Sequence, residues 1–286
     1  MARPVVGIGE VLWDLLPAGK QLGGAPANFA FHAGQLGAEA YVVSRVGDDE
    51  LGREILARLD ALGLNRDFVQ SDPDHPTGTV DVRLDAKGVP SYVIYEDVAW
   101  DWITPTPRML DLARRADAVC FGTLAQRTPG NAGAIGKFLS STRADCLRVF
   151  DVNFRQHYYD ADTVRHPLAL SNVVKLNEDE VPVLTALLPK PVELRDFPRV
   201  FDLRVVALTC GPRGSVLFTK DGVFEHAGVP VDVVDTVGAG DAFTAALVMG
   251  LLAGRPLDEI NDRANRLAAF VCSQPGATPR HPPAMT

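Results

Sequence analysis

The chain has few cysteines, and they are scattered. Cys120, Cys146, Cys210 and Cys272 are far apart, and no two form a C-x-x-C pair. That spacing argues against a disulfide frame or a cysteine zinc site and points to buried thiols in a reducing compartment. Net positive charge is lacking too. A formal charge of −8 argues against a general nucleic-acid binder. It leaves room for a small anionic ligand, because a local site or Mg²⁺ overrides the global balance. No uncharged apolar run is long enough to cross a bilayer, the longest being residues 242–254. The first apolar run, residues 5–16, is broken by Glu10 and Asp14 and lacks a small-residue cleavage site. The expectation is a cytoplasmic protein with neither nucleic acid nor membrane as a partner. Internal repeats and low-complexity tracts are absent.

Several familiar motifs are missing as well. There is no G-x-x-x-x-G-K-[ST] phosphate loop and no complete protein-kinase signature set. H-E-x-x-H and G-x-S-x-G do not occur. Gly7-Ile-Gly9 is followed by Glu10-Val-Leu12, so the third glycine of a dinucleotide fingerprint is absent, which counts against a nicotinamide oxidoreductase. At 286 residues and 47% hydrophobic content, the chain can build one large α/β domain or two smaller ones.

What is present centres on Asp235-Thr-Val-Gly238-Ala239-Gly240-Asp241-Ala-Phe243. The apolar, β-branched residues 229–234 precede it and an apolar helical run, residues 242–252, follows, closed by Gly254. The stretch reads as strand, glycine-rich turn and helix start. A helix N-terminus offers free N–H groups and partial positive charge, and glycines let an anion come close. A carboxylate in such a turn, Asp241, is electrostatically odd unless it has a chemical task. Taking a proton from an attacking hydroxyl is one.

Other polar residues fall at strand ends or helix starts. Pro4-Val-Val-Gly-Ile-Gly9 reads as a buried strand that Glu10-Val-Leu-Trp-Asp14 continues, placing Asp14 past its C-terminal end, where α/β sheets bind ligands. Gly23-Gly24 and Pro26 predict a turn into a helix, with Asn28 in its first turn and His32 packed inside it. Asn28 either holds a hydroxyl-rich ligand or bonds the local turn. Asp48 and Asp49 read as helix caps ahead of residues 50–62, whose apolar positions recur at helical spacing. Residues 77–95 alternate with period two around Asp85-Ala-Lys-Gly88, which predicts an antiparallel hairpin, and Ala99-Trp-Asp-Trp102 closes it, its tryptophans either covering a site or, the favoured reading, packing the base. The strand at residues 147–155 carries Asp151, Asn153 and Arg155 at alternate positions, which predicts a shared side. Asn177-x-x-Glu180 has the form of a capping box, and the same oxygens suit Mg²⁺-bound water. Thr209, Gly211 and Gly214 mark a strand followed by a glycine-rich turn, read either as phosphate contacts or as a plain hairpin.

In this order, the motifs resemble the PfkB (ribokinase-like) family of carbohydrate kinases over essentially the whole chain. The resemblance rests on Gly23-Gly24-Ala-Pro-Ala-Asn28 through Gly47-Asp48-Asp49-x-x-Gly52, on Asn177-x-x-Glu180 and on residues 235–243. It implies a ribokinase-like three-layer α/β/α fold: one domain over residues 1–286, a mostly parallel Rossmann-like sheet and a small β-sheet lid from about residues 11–23 and 77–101. It also implies ATP-dependent phosphorylation of a sugar hydroxyl. Asp241 matches the general base, and the N–H groups of Gly238, Ala239 and Gly240 match those that stabilise the transferring phosphoryl. Asp14, Gly24, Asn28 and Arg155 match sugar-site positions. Thr209 and Gly211, with Gly214 in the same turn, match nucleotide-phosphate contacts, and Asn265 lies where the adenine pocket is lined. Asn177 and Glu180 match the Mg²⁺ side, and Asp235 with the Gly276 loop matches a monovalent-cation site, K⁺.

Leu12 stands where ribokinases carry an asparagine, which disfavours ribose. Glu10-Val-Leu-Trp-Asp14, Ala99-Trp-Asp101, Phe121-Gly-Thr-Leu-Ala-Gln-Arg127 and Asp151-x-Asn-x-Arg155 are similar to bacterial fructokinases, which implies fructose. Kinases of the same fold for 2-keto-3-deoxygluconate, another sugar or a nucleoside are the alternatives. A non-catalytic sensor on this scaffold is expected to lose the base, and Asp241 is present. The hairpin's apolar face leaves two options, covering its own site or forming a homodimer through the lid.

Overall fold

The computed structural model describes residues 3–16, 19–84 and 90–285. Its strands are β1 (Pro4–Ile8), β2 (Leu12–Leu16), β3 (Gly19–Gly23), β4 (Glu39–Gly47), β5 (Asn65–Asp72), β6 (Thr79–Leu84), β7 (Pro90–Ile94), β8 (Ala118–Phe121), β9 (Leu147–Asp151), β10 (Val173–Asn177), β11 (Val205–Thr209), β12 (Ser215–Phe218) and β13 (Val223–His226). The helices are α1 (Ala25–Gln35), α2 (Glu50–Ala61), α3 (Pro107–Arg115), α4 (Pro129–Ser140), α5 (Asp162–Leu170), α6 (Glu180–Ala186), α7 (Phe197–Val200), α8 (Ala239–Leu252) and α9 (Leu257–Cys272).

Among the described residues, nine strands form one sheet in the order β13-β12-β11-β10-β9-β8-β1-β4-β5. All pairs from β5 to β11 are parallel, and β12 and β13 add an antiparallel edge. The central strands read as continuous apolar runs because both faces are covered. Val6, Val119 and Phe150 pack with residues of α3, α4 and α5. Their neighbours Val5, Ala118 and Val149 pack on the opposite face, against α1, α8 and α9. This is the expected three-layer α/β/α arrangement. No described helix is long and apolar enough to cross a membrane. All four cysteines are free thiols, two of them buried.

From β1 the chain builds outward through β4 and β5, then returns to β8 on the other side of β1. That reversal opens a crevice at the carboxyl ends of β1 and β8. A second sheet, β3-β2-β6-β7, stands beside it. β6 and β7 pair antiparallel in the expected hairpin, and β2 joins β6 in parallel. The turn expected at Asp85-Ala-Lys-Gly88 lies outside the described residues.

Three local readings change. First, Glu10 to Asp14 does not prolong β1. Gly9 has φ +146°, the chain bends, and Asp14 lies in β2 of the small sheet. Second, residues 229–234 form no strand. The N–H groups of Val234 and Asp235 both donate to Cys272 O at the end of α9 (2.8 and 3.2 Å), so this backbone finds its partner on a helix end instead of a sheet edge. Third, β9 ends at Asp151, and Asn153 takes a left-handed φ of +44°. Strand alternation therefore does not govern Asn153 and Arg155.

Two contacts fix flanking segments. Asp49 caps α2 by accepting from Gly52 N at 2.7 Å, and its other oxygen takes Thr77 N at 2.8 Å. His32, buried in α1, bonds Ala277 O at 2.9 Å and His281 Nε2 at 2.8 Å. A carbonyl only accepts, so His32 Nε2 carries the proton and Nδ1 accepts from His281. Burial, with His281 alongside, holds the His32 pKa down to about 3, and burial lowers His281 to about 4.

At the base of the small sheet, Trp100 is fully buried, while Trp102 is 48% exposed and stacks on His75. Both pack, as expected. Asp101 forms a two-pronged pair with Arg127, with contacts of 2.8 and 2.6 Å. The Arg127 guanidinium lies 4.0 Å from the Trp100 ring centroid and donates to Tyr95 O at 2.6 Å. Removing one member of a buried pair strands the other charge. Arg127→Met is expected to cost about 3–5 kcal/mol of unfolding free energy. Urea denaturation checks this, and a loss under about 1 kcal/mol, the surface-pair range, shows the pair is not structural.

Candidate active site

A cleft of about 1480 Å³ runs along the carboxyl ends of the parallel strands. Its lining brings together Asp14, Gly24, Asn28, Arg155, Asn177, Thr209, Gly211, Gly214, Gly238, Ala239, Gly240, Asp241 and Asn265. Glu180, Asp235 and Gly276 are not in the lining.

The N-terminus of α8 forms the centre. Gly238 caps the helix at φ +79°, and a Cβ there would sit 2.5 Å from Ala277 O, so only glycine fits. Ala239 N turns back to Thr236 O at 3.3 Å. The N–H groups of Gly238, Gly240 and Asp241 have no acceptor among the described residues, which leaves them for an anion. Asp235 shapes the turn from behind, accepting from Val237 N at 3.0 Å and from Gly276 N at 3.1 Å.

Asp241 sits in the first turn of α8 and keeps an opening to the cleft. The surrounding protein still removes most of its water. That desolvation, with Asp151 nearby, raises its pKa to about 7 against the pull of Asn28, Lys175 and Arg155. Asn28 Nδ2 donates to Asp241 Oδ2 at 2.9 Å. Helix α1 thus reaches the start of α8 directly, and Asn28 is more than a local turn contact. Asn28 Oδ1 is buried with no partner. Gly24, at φ +114°, starts α1 close against Glu10 O.

Asp14 faces the cleft from β2, and the absence of a side chain at Gly23 makes room for it, since a Cβ there would meet Asp14 Oδ2 at 2.4 Å. Burial raises the Asp14 pKa to about 6, with Arg155 opposing. Arg155 is exposed at the mouth of the cleft. Glu10 escaped the sequence signals. Its carboxyl is buried on the cleft wall, Oε2 has no partner, and desolvation lifts its pKa to about 7. Lys175 escaped as well; its signal was a charge inside the apolar run Val-Val-Lys-Leu of a fully covered strand.

At the other end, Asn177 and Glu180 form a reciprocal box. Glu180 Oε2 takes Asn177 N at 2.8 Å, and Asn177 Oδ1 takes Glu180 N at 3.0 Å. Glu180 Oε1 takes Phe154 N at 3.0 Å. Both carboxylate oxygens serve the fold, so a direct metal bond is disfavoured. Oxygens already engaged in this way suit Mg²⁺ kept in its own water shell. Among the described residues, no group of three His, Cys, Asp or Glu side chains is arranged to hold a metal. Thr209 ends β11, and Gly214, at φ +90°, packs against His226 O. Asn265 is held by Ser215 Oγ at 2.7 Å and Asn261 O at 2.8 Å. Val231, Val233 and Val237 are exposed on the loop that edges this end.

Known proteins share this architecture. An uncharacterized sugar kinase of Pyrococcus horikoshii is 30% identical over 298 residues, spanning 96% of this chain and 93% of the relative. Its crystal structure in complex with ATP matches with a TM-score of 0.83 at 28% identity, over 96% of this chain and 94% of that one. A fructokinase of Escherichia coli is 29% identical, over 97% of this chain and 95% of its own length. The family model for pfkB carbohydrate kinases matches residues 18–284. With an anion turn that carries a desolvated carboxylate and a match over nearly its full length, the chain belongs to the pfkB family of carbohydrate kinases.

Proposed function

We propose that this protein transfers the γ-phosphoryl group of ATP to a hydroxymethyl group of a small uncharged sugar, fructose. The observation that carries the reading is the 2.9 Å bond from Asn28 to Asp241, which puts the hydroxyl-binding helix and the anion turn at one carboxylate. The P. horikoshii relative is a sugar kinase with an ATP complex, and the E. coli relative is a fructokinase. Three carboxyl groups, of Glu10, Asp14 and Asp241, line the acceptor side against two cations, Arg155 at the mouth and Lys175 on the floor. That balance favours a neutral polyol over a sugar acid such as 2-keto-3-deoxygluconate.

Phosphoryl transfer needs alignment and charge stabilisation more than covalent help. Asp14 and Asn28 fix the sugar, and Arg155 covers the outer side. Asp241 takes the proton of the attacking hydroxyl. The free N–H groups of the anion turn face the transferring phosphoryl. Thr209, Gly211 and Gly214 border the phosphates, and Asn265 with the valine loop borders the base. When bound, Mg²⁺ would neutralise charge on the phosphates, with Asn177 and Glu180 holding its water shell, and K⁺ would sit on the Asp235–Gly276 side. The small sheet acts as a lid that keeps water, a competing acceptor, out.

ADP release measured across a panel of sugars, sugar acids and nucleosides tests the substrate, and absence of turnover with fructose overturns that choice. Asp241→Asn is expected to lower kcat by roughly 10²–10⁴-fold with ATP affinity kept; near-normal turnover removes Asp241 as base. Asp14→Ala is expected to raise sugar KM or lower kcat while ATP KM holds; unchanged sugar kinetics take it out of the site. Asp241 acts only when ionised, and its pKa is raised to about 7. Therefore kcat/KM is expected to fall tenfold per pH unit below about 7, in a pH–rate profile. A profile flat down to pH 5 contradicts this.

A further inference from the structure

Lys175 has no part in the mechanism above, yet its place is unusual. It lies in β10 between Val174 and Leu176, both fully buried, and is itself buried. Its Nζ is 3.1 Å from Asp151 Oδ1, at the end of the neighbouring strand β9. Thr244 Oγ1, with one proton to donate, lies 3.1 Å from Asp151 Oδ2 and 2.9 Å from Gly240 O and so bridges the two acceptors. A Cβ on Gly240 would lie 2.9 Å from Lys175 Nζ, so the ammonium sits directly beneath the anion turn. Lys175 also reaches the floor of the cleft. Buried ion pairs are weak sources of stability, and apolar residues of similar volume serve a sheet interior as well or better. A buried ammonium and its carboxylate partner at this spot call for another reason.

We propose that Lys175, held by Asp151, is a positioning residue for phosphoryl transfer: its ammonium backs the anion turn from inside the fold and offsets charge gathered there. The proposal rests on the kinase reading above, with Asp241 as base. Asp241 is faced by Asn28 from α1, Glu10 after β1, Asp151 from β9, Arg155 beyond it and Lys175 from β10. Lys175 favours the ionised form of Asp241, and Asp151 opposes it. Desolvation weighs against the charge on Lys175, but Asp151, Glu180 and Asp241 outweigh it and keep it an ammonium.

Two single variants therefore act with opposite sign. Lys175→Met is expected to lower kcat by roughly 10²-fold, the scale for losing one preorganised charge contact, and to move the acid limb of the kcat/KM profile to higher pH. Asp151→Asn is expected to move that limb to lower pH. A structural role alone moves neither limb, or moves both the same way, and either result overturns the proposal. The double variant Lys175→Leu/Asp151→Leu strands no charge and guards against misfolding of the singles. It is expected to fold with kcat lowered as in Lys175→Met, and wild-type kcat in it overturns the proposal. Asp241→Asn assayed in parallel separates the two levels. Turnover in that variant defeats the base assignment, whereas its inactivity alongside unmoved limbs defeats only the role of Lys175.

Discussion

A hydrogen bond between Asn28 and Asp241 ties together two helix starts that lie 213 residues apart in sequence. Both helix N-termini direct partial positive charge toward the same cleft, and α8 adds unpaired N–H groups. Alone, either would be an ordinary anion or hydroxyl site. Joined, they share one carboxylate whose water has been removed. Much of the fold can be understood as the scaffold that keeps this contact short: α1 and α8 lie side by side on one face of the sheet, packed through Phe29, Ala33 and Phe243.

The sheet topology explains why the contact forms where it does. The chain reverses direction around β1, so loops from both halves converge at its carboxyl end. Carboxyl groups gathered there lose solvent, and desolvation pushes Glu10, Asp14 and Asp241 toward neutral forms. Carboxyl groups poised between ionised and neutral forms can both accept from and donate to hydroxyl groups, which suits a polyol. Electrostatics and hydrogen-bond supply thus favour the same class of partner.

Much of this was legible in the sequence, for local reasons. The turn at residues 235–243, the glycines before α1 and the caps of α2 are short-range devices, and each depends on neighbours within a few positions. The central strands of the parallel sheet were legible because they are covered on both faces, whereas the edge strand β5, partly exposed, went unread. Asp14 was placed at the correct cleft on the wrong element, because a glycine with φ +146° turns the chain and no apolar pattern records that bend. Residues 229–234 look like a strand, but the segment joins neither sheet and Val234 N donates to Cys272 O at the end of α9. Helices α3, α4 and α5 went unread between the strand signals. Glu10 and Lys175 gain their meaning only from tertiary neighbours.

The buried pair His32 and His281 has a consequence for the turn that opens α8. His32 bonds Ala277 O, and Ala277 packs behind Gly238, the glycine that caps α8. The shape of that turn therefore leans on two imidazoles that lie outside the cleft lining. Both rings stay neutral well below neutral pH, so the brace does not loosen under mild acidification.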